Sequence, residues 1–207
     1  MLDGRVALIT GAASGQGRAA ALLFAAHGAS IAVIDVNDED AGETVALVEK
    51  DGGAAIALHA DVSVADDCAR MIADTAEAFG RIDVLYNNAA VQMSGRLVEC
   101  TEEDWDRTIA TNLNAVFWAC RAAIPVMLAG DGGSIINTAS VLGLIGSEGY
   151  VAYGAAKAGL VALTRQIAVE YGPKVRANVI APGSIDTPRF RKVAEEMDDT
   201  EGFLTSL

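Results

Sequence analysis

Apolar runs of strand length alternate along this chain with longer segments of helical period, and few architectures accommodate that alternation. Arg5–Thr10 precedes a helix-like stretch from Gly15 to His27, Ser30–Asp35 precedes Glu39–Lys50, and Ala54–His59 precedes Ala65–Phe79. Asp83–Asn87 leads through a loop to Glu102–Ala129, Ser134–Thr138 leads to Val151–Tyr171, and Val175–Ile180 is the sixth strand candidate. Most of these runs are apolar throughout rather than on alternate residues. Strands have that composition when helices cover both faces of their sheet. The pattern predicts an α/β fold with a doubly wound parallel sheet of about six strands. Gly28, Gly52–Gly53, Gly80 and Gly172–Pro173 stand where helices should stop. Thr101, ahead of Glu102 and Asp104, reads as an N-cap with acids in the first turn.

The chain of 207 residues suits one domain. Residues 1–188 hold all the strand–helix units, and 189–207 form a segment of different character with five acids and no further unit. A formal charge of −13 would repel phosphate backbones and anionic bilayers, so neither a nucleic acid nor a membrane is an expected partner. Cys68, Cys100 and Cys120 are odd in number and far apart, and His27 and His59 stand alone. That spacing offers no metal site and reads as reduced thiols in a cytoplasmic protein. The opening MLDGRVALIT lacks a basic segment, so no signal peptide is expected. No apolar run approaches the ~20 residues a bilayer requires.

In a doubly wound sheet, ligands bind beyond the carboxyl ends of the strands. The first such turn is Thr10-Gly-Ala-Ala-Ser-Gly-Gln-Gly17. Its glycines are spaced GxxxGxG, not GxGxxG. Gly11 suits the tight turn, Gly15 a backbone that must approach a diphosphate, and Gly17 close helix–strand packing. The helix N-terminus behind them, with Gln16, offers free amides and a positive dipole end. Ser14 either caps that helix or bonds a phosphate. Asp35 ends the second strand 18 residues beyond Gly17, near the ~20 of a carboxylate that holds a ribose 2′-hydroxyl. It would repel a 2′-phosphate, and no cation stands at Gln16, Val36 or Asn37, which points to NAD over NADP. The alternative is an ordinary strand-end acid or a cap for the next helix.

Tyr153 and Lys157 lie four apart in a helical segment, so phenol and ammonium share a face. A fixed cation favours the phenolate and fits Tyr for acid–base work on an alcohol/carbonyl pair. The plain alternative is an amphipathic surface. Ser140 follows the fifth strand, where its hydroxyl either holds a substrate oxygen or caps a turn. No GxSxG surrounds it, which argues against a hydrolase nucleophile.

Thr10–Gly17, Asn87-Asn88-Ala89-Ala90, Asn112, Ser140, Tyr153/Lys157 and Pro182-Gly183 together resemble the short-chain dehydrogenase/reductase family in order and spacing, over essentially all of residues 3–190. The resemblance implies a Rossmann core and a nicotinamide-dependent oxidoreductase. It assigns Ser140 to polarising the substrate oxygen, Tyr153 to exchanging its proton, and Lys157 to lowering the Tyr pKa and binding the nicotinamide ribose. Asn112 would hold a water in the proton relay, serve as a buried Asn that satisfies backbone, or do both. Asp61 and Val62 would bracket the adenine. Asn87 and Ala89 would line the cleft, Ile185 would pack on the nicotinamide, and Thr187 would bond its carboxamide beyond Pro182 and Gly183. The family usually has Gly where this chain has Ala90, a cost of ~1 kcal/mol if that residue needs positive φ.

The pattern also implies elements that this sequence lacks. The family's last helix and strand are not present, the sixth strand is expected as an exposed edge, and 189–207 is expected as a partial substrate lid. Two functions follow. The first is a hydride transfer between NAD and a small neutral alcohol or ketone, by a homo-oligomer and with NAD preference leaning toward oxidation. The second is a non-catalytic NAD-binding or interaction remnant. Gln92, Met93, Leu142, Leu144, Tyr150 and Ser184 are the expected substrate walls.

Overall fold

The computed structural model describes residues 1–187 and Arg191. Its strands are β1 (Val6–Thr10), β2 (Ser30–Asp35), β3 (Ala55–His59), β4 (Val84–Asn87), β5 (Gly133–Thr138) and β6 (Val175–Ile180). All pair in parallel, in the order β3-β2-β1-β4-β5-β6. This is the doubly wound arrangement, whose order reverses between β1 and β4.

The helices are α1 (Gly15–Ala26), α2 (Asp38–Lys50), α3 (Ala65–Phe79), α4 (Glu102–Ile109), α5 (Ala115–Ala129) and α6 (Val151–Tyr171). They form two layers because neighbouring strand residues point to opposite faces. Leu8, Ala32, Ile34, Leu85 and Ile135 point to one face and pack with Met71, Ile72, Ala119, Ile124 and Leu160 of α3, α5 and α6. Ala7, Ile9, Ile31, Val33 and Tyr86 point to the other and pack with Ala21 of α1 and Ala41 of α2. Both faces are buried, which explains why the strands read as continuous apolar runs.

Strand starts shift by a residue from expectation: β1 begins at Val6, β3 at Ala55 and β4 at Val84, while β5 gains Gly133. Expected as one uniform helix, 102–129 instead changes winding midway, with α4 and α5 joined by a π-helical turn at Ala110–Asn114. Thr101 caps α4 by accepting the Asp104 amide. The helix Glu102–Ala129 is also long and apolar enough by composition to cross a bilayer, although charged residues such as Arg107 and Arg121 keep its uninterrupted apolar runs short. Its apolar content has a local explanation, because Ala115, Ala119, Cys120, Ala123 and Met127 are buried in the core. Of the expected 189–207 lid segment, all but Arg191 lies outside the described residues.

At the amino end of the sheet, Asp83 is buried beneath β1 and β4. Its carboxylate accepts from the Val6 amide, Arg5 and Arg81. Burial pushes its pKa upward, but these donors outweigh it and hold the group below its ordinary 3.8.

Candidate active site

The loops after β1 to β5 converge at the carboxyl end of the sheet around a cleft of about 440 Å³. Gly11, Ser14, Gly15, Gln16, Asp35, Asp61, Val62 and Ala89 line it together with Tyr153, Lys157 and Thr187. A second cleft of about 360 Å³ is lined by Ser140, Tyr150, Pro182, Gly183 and Ile185, among others. Gln16, Thr138, Tyr153 and Thr187 belong to both walls.

The glycine turn is shaped by close backbone approaches. Gly11 has φ +65°, and a Cβ there would stand 2.8 Å from the Ala89 Cα. A Cβ on Gly17 would stand 2.1 Å from the Gly11 oxygen, so this buried glycine lets α1 press against the turn. Ser14 occupies the N-cap position, yet its side chain makes no capping bond and faces the cleft. Asp35 ties the turn to β2: one oxygen accepts from the Ala13 amide, the other from the amides of Val36 and Asn37. It does not cap α2, a role Asn37 takes by accepting the Asp40 amide. Asp61 accepts from the amide and hydroxyl of Ser63, so it shapes the loop whose surface forms the cleft wall.

Asn87 is placed differently from expectation. Period-two alternation puts it on the Leu85 side of the sheet, where its amide donates to Asn137 at 2.8 Å and to the Cys120 sulfur. The chain continues from Asn137 to Thr164 of α6. The lining role passes to Asn88, whose side chain donates to the oxygens of Thr10 and Gly11. Thr10 in turn accepts the amides of Asn88 and Ala89 through its hydroxyl, locking the β1 and β4 ends together. Strand alternation alone would have separated the two asparagines. Ala90 is not strained, because every described residue with positive φ is a glycine.

Asn112 is 1% exposed, within the π-helical turn. Its Oδ1 accepts the Val91 amide and its Nδ2 donates to the Val91 oxygen, fastening the wall after β4 to the helix. The backbone-satisfying alternative is therefore realised, and the π turn is what sets the residue at this height. Ser140 likewise fills its alternative role, accepting the Leu142 amide at the start of a short 3₁₀ turn, while it also lines the second cleft. Lys157 is 2% exposed and donates to the Thr138 oxygen at 2.7 Å. An amphipathic surface would leave that ammonium in water, so the surface alternative for Tyr153 and Lys157 is excluded.

The expected substrate walls divide. Gln92, Leu142, Tyr150 and Ser184 line the second cleft. Met93 and Leu144 are not among its lining residues, and Leu144 projects into solvent. Val141 and Ser147 are additional lining residues. Arg107 and Thr111 of the long helix also line the first cleft and had no motif to mark them. The three thiols are free. Burial raises Cys68 to about 11 and Cys120 to about 12, which makes both inert at neutral pH. Among the described residues no group of His, Cys, Asp and Glu is placed to hold a metal ion.

A glycine-cradled helix N-terminus at the switch point, a strand-end acid beside it and a buried Lys under a Tyr define a dinucleotide-dependent oxidoreductase of Rossmann type. The chain belongs to the short chain dehydrogenase family, whose sequence profile matches residues 5–198. It is 39% identical over 200 residues to the 3-oxoacyl-(acyl-carrier-protein) reductase of Thermotoga maritima, across 96% of this chain and 81% of that one. It is 40% identical over 195 residues to the cyclohexanol dehydrogenase of an Acinetobacter species, across 93% and 78%. An uncharacterized NAD-dependent oxidoreductase of Mycobacterium tuberculosis is 41% identical over 208 residues, across 93% and 76%. The crystal structure of levodione reductase superposes with a TM-score of 0.93 at 36% identity, covering 98% of this chain and 81% of that one. Members of the family bind a nicotinamide cofactor and act as oxidoreductases.

Proposed function

We propose that this chain transfers a hydride between NAD(H) and a small neutral secondary alcohol or ketone, with Tyr153 exchanging the proton of the substrate oxygen. One observation carries this reading: Tyr153, with Gln16, Thr138 and Thr187, stands where the two clefts meet. A dinucleotide laid from the adenosine side along the glycine turn would bring its reactive end there, against whatever fills the second cleft.

The residues present fit such a cofactor. The turn is kept free of side chains where a Cβ would collide with backbone, and the amides at the start of α1 are open to a diphosphate. Gly11, Ser14, Gly15, Gln16 and Gly17 would form that cradle. Asp61, Val62 and Ala89 would flank the adenine, and Pro182, Gly183, Ile185 and Thr187 the nicotinamide. The bound cofactor supplies hydride donation and acceptance. The protein supplies the rest. Ser140 would hold the substrate oxygen, Tyr153 would give or take its proton, and Lys157 would favour the phenolate and hold the nicotinamide ribose. Asn112 acts through Val91, by fixing the cleft wall.

A preference for NAD over NADP is supported by Asp35, whose carboxylate lines the cleft at the end of β2 and would accept from a ribose 2′-hydroxyl and repel a 2′-phosphate. The nearby cation Arg18 is engaged by Thr44, the Asp40 oxygen and Glu43. An uncharged substrate is supported by a second cleft whose lining, among the described residues, holds no Asp, Glu, Lys or Arg. A homo-oligomer is supported by Trp105, Phe117 and Val169, which leave apolar surface exposed on α4, α5 and α6. Following reduced-nicotinamide absorbance with a panel of neutral secondary alcohols tests the reading. Turnover with NAD supports it, whereas NAD-dependent thermal stabilisation without any turnover identifies a non-catalytic binder.

A further inference from the structure

Arg107 has no assigned part in the site, yet it lines the dinucleotide cleft beside Thr111 and the 60–63 loop. Among the described residues its guanidinium has no hydrogen-bond or ion-pair partner. Acids are close in sequence. Glu103 and Asp104 stand one turn back on α4, but the Asp104 carboxylate takes the Thr101 hydroxyl. Asp61, in the loop after β3, is occupied by Ser63. In a chain of charge −13, an unpaired guanidinium at a cleft wall is a group waiting for a ligand.

Its position selects which part of a dinucleotide it meets. The diphosphate belongs at the glycine turn below α1. The chain beyond Asp35 runs into α2, in the α1/α2 layer, so a 2′-substituent held by Asp35 would lie on that side. Arg107 comes from α4, which runs into α5 in the opposite layer, and shares its wall with Asp61 and Val62 at the end of β3. A planar guanidinium stacks on an aromatic face and is attracted to its π electrons.

We propose that Arg107 is an adenine-recognising residue, its guanidinium plane covering the base of the bound dinucleotide from the α4 side. The proposal rests on the dinucleotide reading of the cleft. Calorimetric titration of the full chain with AMP, NAD and nicotinamide mononucleotide tests it. For Arg107→Ala, the Kd of AMP and of NAD should rise about 3- to 10-fold, with nicotinamide mononucleotide unaffected. Arg107→Lys keeps the charge without the plane and should bind AMP nearly as weakly as Arg107→Ala. The residue is exposed, so both variants should melt like the parent protein without ligand. Unchanged AMP affinity in Arg107→Ala overturns the proposal, as does full recovery by Lys, which would make the contact one of charge with phosphate. If the parent protein binds neither AMP nor NAD, the dinucleotide reading fails and takes the proposal with it. Binding by the parent with no loss in Arg107→Ala overturns the adenine contact alone.

Discussion

The Lys157 ammonium stands 5.5 Å from the centre of the Tyr153 ring while it donates to the Thr138 carbonyl oxygen at 2.7 Å. A buried cation is thereby pinned to the end of β5, and the aromatic ring beside it projects to the junction of two clefts. Removing the phenolic oxygen leaves this packing in place. Tyr153→Phe should lower turnover about 100-fold or more with NAD affinity nearly intact. Single-turnover absorbance and equilibrium NAD titration check the two halves. A variant that kept most of its turnover would disprove the acid–base role.

Asp35 touches three backbone amides and the cleft at once. Asp35→Ala should weaken NAD and narrow the gap between NAD and NADP, because both a ribose acceptor and a repulsive charge are lost. Competing titrations of the two cofactors measure that ratio, and an unchanged ratio would sink the ribose assignment.

Gly17 has no room for a methyl group, since its Cβ would fall 2.1 Å from the Gly11 oxygen. Gly17→Ala should cost about 1–3 kcal/mol by overpacking and weaken NAD by displacing the turn. Denaturant melts with and without NAD would register both effects.

Asn112→Ala should destabilise the fold by about 2 kcal/mol, because the amide and carbonyl of Val91 lose their partner together. NAD affinity should fall as well, since Val91 lines the cleft. Equal melting temperatures for variant and parent would remove Asn112 from its positioning role.

Asp83 predicts a pH dependence. Its folded pKa lies below the ordinary 3.8, so its stabilising effect is present above that value and fades as pH falls through the folded pKa. Asp83→Asn should cost about 2 kcal/mol at neutral pH, because the charge-assisted hydrogen bonds from Arg5 and Arg81 are lost while the half-exposed arginines stay solvated. The difference in melting temperature from the parent should shrink below pH ~4. A difference constant from neutral pH to acid would show that charge pairing is not its source.

Much of the site was legible because strand ends and helix spacing carry strong local signals. Gly11, Gly15 and Gly17 follow a strand and open a helix, and Tyr153 and Lys157 are one turn apart. Other residues had no such signal. Asn87 and Asn88 are adjacent and chemically identical, and strand alternation separates them only once the end of β4 is fixed: one turns toward α5 and α6, the other toward the glycine turn. Arg107 belongs to no local motif, and only the cleft formed by distant loops singles it out. Met93 and Leu144 were expected at a wall that the loops carry elsewhere.

The amino-acid sequence by itself determined the order of elements and the parallel sheet, because apolar period and turn residues are properties of short segments. It also determined which side chains meet four residues apart. Tertiary structure decided which faces of the strands turn toward each layer, and that the Tyr153 ring stands at the junction of two clefts. It also decided that Lys157 is buried, that Asn112 fastens Val91, and that Arg107 reaches a cleft formed by distant loops. These contacts join residues far apart in the chain, so they exist only once the sheet has brought its carboxyl ends together.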